Sequence, residues 1–182
     1  MLSYRRFAAM ITTSTLVMFG LMYLNTYALD HVLYSQTRMW MALLMGAAMA
    51  IIMLLFMLGM YKNPRANIAI LAGSVAVFAG SLWLVRSQET VSDLAYMRAM
   101  VPHHSIAIMT SERAHRRDPR VRHLADAIIA GQVREIKEMR HLIADLQLLP
   151  PAADAPDLPP RRTSTQTSPQ QGTGAMPPDR PR

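Results

Sequence analysis

The chain has 182 residues, 51% of them apolar and only 17% charged, with no cysteine, 12 prolines, 16 methionines and a net charge of +7. A cysteine-free chain excludes disulfide scaffolds, zinc–thiolate centres and thiol catalysis, and the apolar content excludes disorder throughout. The totals do not describe one globular domain, because residues 7–29, 39–61 and 66–85 contain no Asp, Glu, Lys or Arg at all.

Each of these runs is long enough to cross a bilayer, since about 20 helical residues at roughly 1.5 Å rise span the hydrocarbon core. The expectation is three transmembrane helices, about 7–29, 39–61 and 66–85. The first follows Arg5 and Arg6 and is too long for the apolar core of a cleaved secretory signal. Lys62-Asn63-Pro64-Arg65 joins the second and third as an antiparallel pair, and its two cations face the cytoplasm by the positive-inside rule. The amino terminus is then cytoplasmic, and everything after residue 85 lies in the periplasm or outside the cell. An inner (plasma) membrane location follows.

The second span carries Met41, Met45, Met49, Met53 and Met57 at every fourth residue. Four-residue steps drift about 40° each around a helix, so these methionines wrap the surface and read as packing or lipid-facing side chains. Gly46, Ala47, Ala48 and Ala50 permit close helix contact. Asp30 and His31 stand near Met39 and Met41 at the outer mouth, where a metal contact is conceivable and hydrated interfacial residues are the simpler account.

Residues 86–149 have helical periodicity. Ser92 or Asp93 caps a first helix running to about His115, and Asp118-Pro119 opens a second that runs to Leu149. The segment is expected to be an extracytoplasmic helical hairpin. In its second helix Val121, Ala125, Ile128, Ile129, Ile136, Met139, Ile143 and Leu146 share one stripe, with Gln132 at its centre and Glu135 at its flank. In its first helix Asp93, Met97, Met100, His104, Ala107 and Ser111 share a face, and Pro102 is expected to kink the helix and free the carbonyl of Arg98. Folding about a turn near residue 117 sets His104 level with residue 131 and Met100 with Glu135. Met100, His104, Gln132, Glu135 and Met139 then converge on one layer, with Met97 alongside. Thioether and imidazole donors together suit a soft or borderline ion, Cu(I) first, with Glu135 as tuning group or hard ligand. The bland alternative is core-filling methionine and one satisfied histidine.

Arg113, Arg116, Arg117, Arg120 and Arg122 crowd the turn and read as a solvated surface, with an acidic partner as the alternative. Most of the net positive charge is membrane topology, so nucleic acid is not an expected partner. Residues 150–182 hold nine of the twelve prolines and read as a disordered tail.

The run Met100-Val101-Pro102-His103-His104-Ser105-Ile106-Ala107-Ile108, followed by Gln132, Glu135-Ile136 and Met139, resembles the bacterial domain-of-unknown-function family numbered 305. The resemblance implies a ferritin-like helical bundle, here in a membrane-anchored form, and association with copper in some periplasmic members. It also implies that Met100, His103, His104, Gln132, Glu135 and Met139 occupy the family's motif positions. Many members have glutamine, glycine and methionine where this chain has Ser105, Ile106 and Thr110.

The chain thus reads as all-α, with three spans followed by a hairpin completed into a four-helix bundle by homodimerisation. Its expected work is copper binding, sequestration or sensing, without enzymatic activity. Di-iron redox chemistry asks for several glutamates, and Glu135 is the one carboxylate expected near the layer. The rival is a structural or assembly membrane protein whose hairpin dimerises without metal.

Overall fold

The computed structural model describes residues 2–152 and 154–159. Five α-helices follow one another with no strand among the described residues: α1 Leu2–Leu21, α2 Gln36–Phe56, α3 Pro64–Ser87, α4 Asp93–Arg113 and α5 Pro119–Leu148. The expected proline-rich tail falls mostly outside the described residues, and those described beyond Pro150 carry no helix.

Helix starts follow from capping chemistry. Ser35, Asn63, Ser92 and Asp118 are extended residues whose side chains accept from Arg38 N, Ala66 N, Ala95 N and Arg120 N respectively. Pro64 and Pro119 occupy the first turn, where a missing N–H costs nothing. α3 ends on Gln88 in the left-handed conformation (φ 56°), its N–H returning to Leu84 O, and α4 begins five residues later at Asp93. α4 is continuous through the buried Pro102.

Two helices among the described residues, not three, are long and apolar enough to cross a membrane: Gln36–Phe56 and Pro64–Ser87. The first expected span is the correction. α1 begins at Leu2 and stops at Leu21, short of residue 29, and turns take over at residues 22–25, with a 3-10 turn at Leu29–His31. Its helical residues therefore include Arg5, Arg6 and the hydroxyl run Thr12-Thr13-Ser14-Thr15, while part of the apolar tract counted toward the span lies in the connection. A charge-free run marks where charges stop and does not mark where the helix stops.

α2 is the central packing element of the first three helices, contacting both α1 and α3. Its buried face is Ala42, Gly46, Ala47, Ala50 and Leu54. A methyl group at Gly46 would run into the Thr15 side chain of α1, so glycine is required by the closeness of that crossing. Phe7, Ala50, Leu54 and Tyr61 form a cluster onto which Met53 and Met57 pack. Tyr4 Oη donates to Asn67 Oδ1 (2.9 Å) and Asn67 Nδ2 donates to Tyr61 O (2.7 Å), pinning the α2–α3 connection.

α4 and α5 pack against each other around Val101, Ile108 and Ile136, flanked by Ile129, Met139, Ile143 and Leu33 from the α1–α2 connection. That connection is fastened to both helices. Tyr27 N donates to the fully buried Ser105 Oγ (2.7 Å), His31 Nδ1 lies 2.9 Å from the same oxygen, and Asp30 pairs with Arg140.

Candidate functional site between α4 and α5

Heptad-like spacing on α4 and α5 brings one polar–thioether layer to their seam. A cavity of about 540 Å³ there is lined by Met97, Met100 and His104 from α4 and by Glu135 and Met139 from α5, with Asp93, Tyr96, Glu138, Leu142 and Leu146 around them. Gln132 joins through Glu135, its Nε2 donating to Glu135 Oε2 at 3.5 Å. Six of the seven residues singled out by sequence are thus gathered.

His103 is the seventh and is placed elsewhere. Its ring is exposed, 6.0 Å centroid to centroid from His104, and lines a different cavity beside Met22, Arg38 and Met41. Adjacent residues on a helix point about 100° apart, so His103 and His104 do not serve one pocket.

The register is one helical turn from the expected one. His104 faces Glu135, with Nδ1 3.2 Å from Glu135 Oε2, where counting had set it level with residue 131. The short distance is not a hydrogen bond, because His104 Nδ1 is a buried atom without an aligned partner. Gln132 Oε1 shares that condition, so two of the buried unpartnered side-chain atoms among the described residues belong to this one layer. Burial holds the His104 imidazole below histidine's ordinary value, with Glu135 opposing and His103 reinforcing the shift. Burial therefore favours the uncharged imidazole, the form that can ligate a metal.

The donor set fits a soft ion better than a hard one. Among the described residues no group of three or more His, Asp or Glu gathers at metal-holding distance. A metal here would have to draw on the sulfurs of Met97, Met100 and Met139 beside His104, with Glu135 the nearest carboxylate. Sequence reasoning missed Glu138 and underused Asp93. The signal was present, since Asp93 shares the face of Met97, Met100 and His104, and Glu138 sits one turn beyond Glu135.

Asp30 and His31 are not brought to Met39 or Met41. His31 meets Ser105, Asp30 meets Arg140, and Met39 Sδ accepts from Tyr34 Oη at 3.0 Å. Ser105 is spent on fastening the α1–α2 connection.

The model of the family described as "Domain of unknown function (DUF305)" matches residues 93–179, which begins at the first residue of α4 and takes in all of α5. The match supports the family resemblance read from the two sequence blocks. An uncharacterised protein of Acanthamoeba polyphaga mimivirus is 38% identical over 69 residues, covering 37% of this chain and 45% of that protein. The chain thus spans less than half the length of this relative. No solved structure matches.

Proposed function

We propose that this chain is a membrane-anchored metal-binding protein that holds copper, as Cu(I), in the layer between α4 and α5 for sequestration or sensing. Met97, Met100, Met139 and His104 are the ligands, and Glu135 and Gln132 orient His104 and set the local charge. The observation that carries the reading is a buried imidazole nitrogen with no hydrogen-bond partner in a cavity bordered by three thioethers. α2 and α3 span a bacterial plasma membrane with their Lys62–Arg65 connection facing the cytoplasm, which puts α4 and α5 on the periplasmic side. The exposed apolar residues that share one face of α5, Val121, Leu124, Ile128 and Leu142, are the face through which two copies pair.

The test is competitive Cu(I) titration of the full-length protein in detergent, beside Met100→Ala and His104→Ala. One Cu(I) per chain is expected for the wild type, with binding at least about tenfold weaker in each variant. Equal, weak uptake by all three overturns the reading.

One observation favours a second reading, a metal-free structural layer: His104 and Glu135 approach to 3.2 Å across the two helices. That reading expects His104→Ala to lower the melting temperature equally with and without Cu(I). The copper reading expects the wild type alone to gain stability from the metal.

A further inference from the structure

A second cavity, of about 360 Å³, opens where the α1–α2 connection and the first turn of α2 meet α4. Its wall is divided by chemistry. Asn25, Thr37, Arg38 and His103 supply polar groups, Met41 and Ile106 supply apolar ones, and no Asp or Glu lines it.

Arg38 is a half-buried cation with neutral company. Its Nη1 donates to Met22 O (2.8 Å) and its guanidinium lies 4.5 Å from the centre of the Tyr23 ring. No carboxylate among the described residues comes within ion-pair distance. Half-buried arginines are ordinarily compensated by an anion, because a desolvated charge held only by a carbonyl and a ring face keeps most of its field. A guanidinium has five N–H donors in a planar fork, and one of them is used here.

The cavity's place along the helices narrows the anion. Arg38 is in the first turn of α2, and Gln88, the cap that ends α3, borders the same cavity. It therefore sits level with the same end of both helices that are apolar enough to cross a membrane. With those helices in a bilayer, this is the depth of lipid phosphates. The fork of an arginine matches two phosphate oxygens, and the Met41 side continues onto the apolar helix surface where an acyl chain runs.

We propose that Arg38, with Thr37, Asn25 and His103, binds the phosphate of an anionic phospholipid headgroup. The proposal rests on the reading that α2 and α3 span the membrane, and is independent of copper.

The experiment uses full-length protein extracted in detergent and reconstituted into nanodiscs of mixed phosphatidylcholine and phosphatidylglycerol, with retained lipid read by native mass spectrometry. Preferential retention of one phosphatidylglycerol per chain is expected, falling about tenfold in Arg38→Gln and less in Arg38→Lys. Should Arg38→Gln fail to fold, Thr37→Val and Asn25→Ala carry the test, each expected to reduce retention a few-fold. Unchanged retention in these variants overturns the proposal. Inorganic phosphate at millimolar concentration that displaces the lipid and protects the protein from heat equally well identifies a free-anion site and also overturns it. Release of the protein from membranes by alkaline carbonate overturns the spanning reading itself, so the two failures are told apart.

Discussion

The α1–α3 block and the α4–α5 pair use the same side chain in opposite ways. In the block, Met53 and Met57 are packed against Phe7, Leu54 and Tyr61, a cluster that holds no imidazole or carboxylate. In the pair, Met97, Met100 and Met139 border a cavity that also holds His104, Glu135 and Glu138. Thioether content therefore carries no function by itself. What separates the two regions is polar company: a methionine among aromatics and aliphatics fills space, and one facing an unpartnered imidazole is a potential donor. The surfaces divide as well. The block exposes Leu55, Phe56, Val75 and Trp83, whereas α5 alternates its exposed apolar residues with Arg134, Lys137, Glu138 and Arg140.

The sharpest way to break the block without touching the pair is at the α1–α2 crossing. Gly46→Val places a branched side chain against Thr15, whose Oγ1 is already committed to Ile11 O at 2.8 Å and cannot rotate away freely. Overpacking of this kind costs about 1–3 kcal/mol, and the upper end is expected here. Thermal melts of the full-length protein in detergent should show a large drop for Gly46→Val. Gly46→Ala should cost less, and adding Thr15→Ala to it should restore most of the loss. Cu(I) affinity is expected to stay unchanged in Gly46→Ala, since the layer lies on other helices; a parallel loss of affinity would mean that the two regions are not separable.

A smaller effect is expected where the regions are joined. Ser105 is fully buried, and its hydroxyl satisfies Tyr27 N–H while contacting His31. Ser105→Ala keeps nearly the same volume and leaves that N–H without a partner, which costs roughly 1–3 kcal/mol for a buried donor. The lower end is expected, because Tyr27 itself is exposed and water can reach its amide. Hydrogen exchange at Tyr27 should accelerate while exchange in the α4–α5 core stays slow. Uniform acceleration throughout α4 would show that Ser105 supports the pair rather than the join.

These joins are also where sequence reading ran out. The starts of α4 and α5 were legible because Ser92 and Asp118-Pro119 act through local hydrogen bonds within the first turn. The members of the layer were legible for a similar reason, as helical spacing alone puts Met97, Met100 and His104 on one face. Their register was not, because a one-turn slip preserves every face, and only the packing of Val101, Ile108 and Ile136 selects between the alternatives. The end of α1 was hidden because nothing polar interrupts the run from Leu21 strongly enough to announce it. Partners such as Ser105 with His31 and Asp30 with Arg140 lie 74 and 110 residues apart in sequence, and no periodicity reports them.

The smallest expected effect lies at that last pair. The Arg140 guanidinium hydrogen-bonds the Asp30 carboxylate and holds it below its ordinary value of 3.8. Both side chains are about half exposed, so the pair contributes no more than about 1 kcal/mol. Its sign with pH is fixed by the direction of the shift. A carboxyl with a lowered folded-state value stabilises the fold fully above its unfolded value, and the contribution disappears as pH falls through the lowered value. Asp30→Asn should therefore speed amide exchange at residues 28–31 slightly at neutral pH, and the difference from wild type should vanish under strongly acidic conditions. High salt should shrink it at neutral pH, because exposed charges are screened within about 8–10 Å at moderate ionic strength. A salt-insensitive difference would mean that Asp30 holds the 3-10 turn at Leu29–His31 by shape, leaving the hydrogen bonds to Ser105 as the join between the α1–α2 connection and α4.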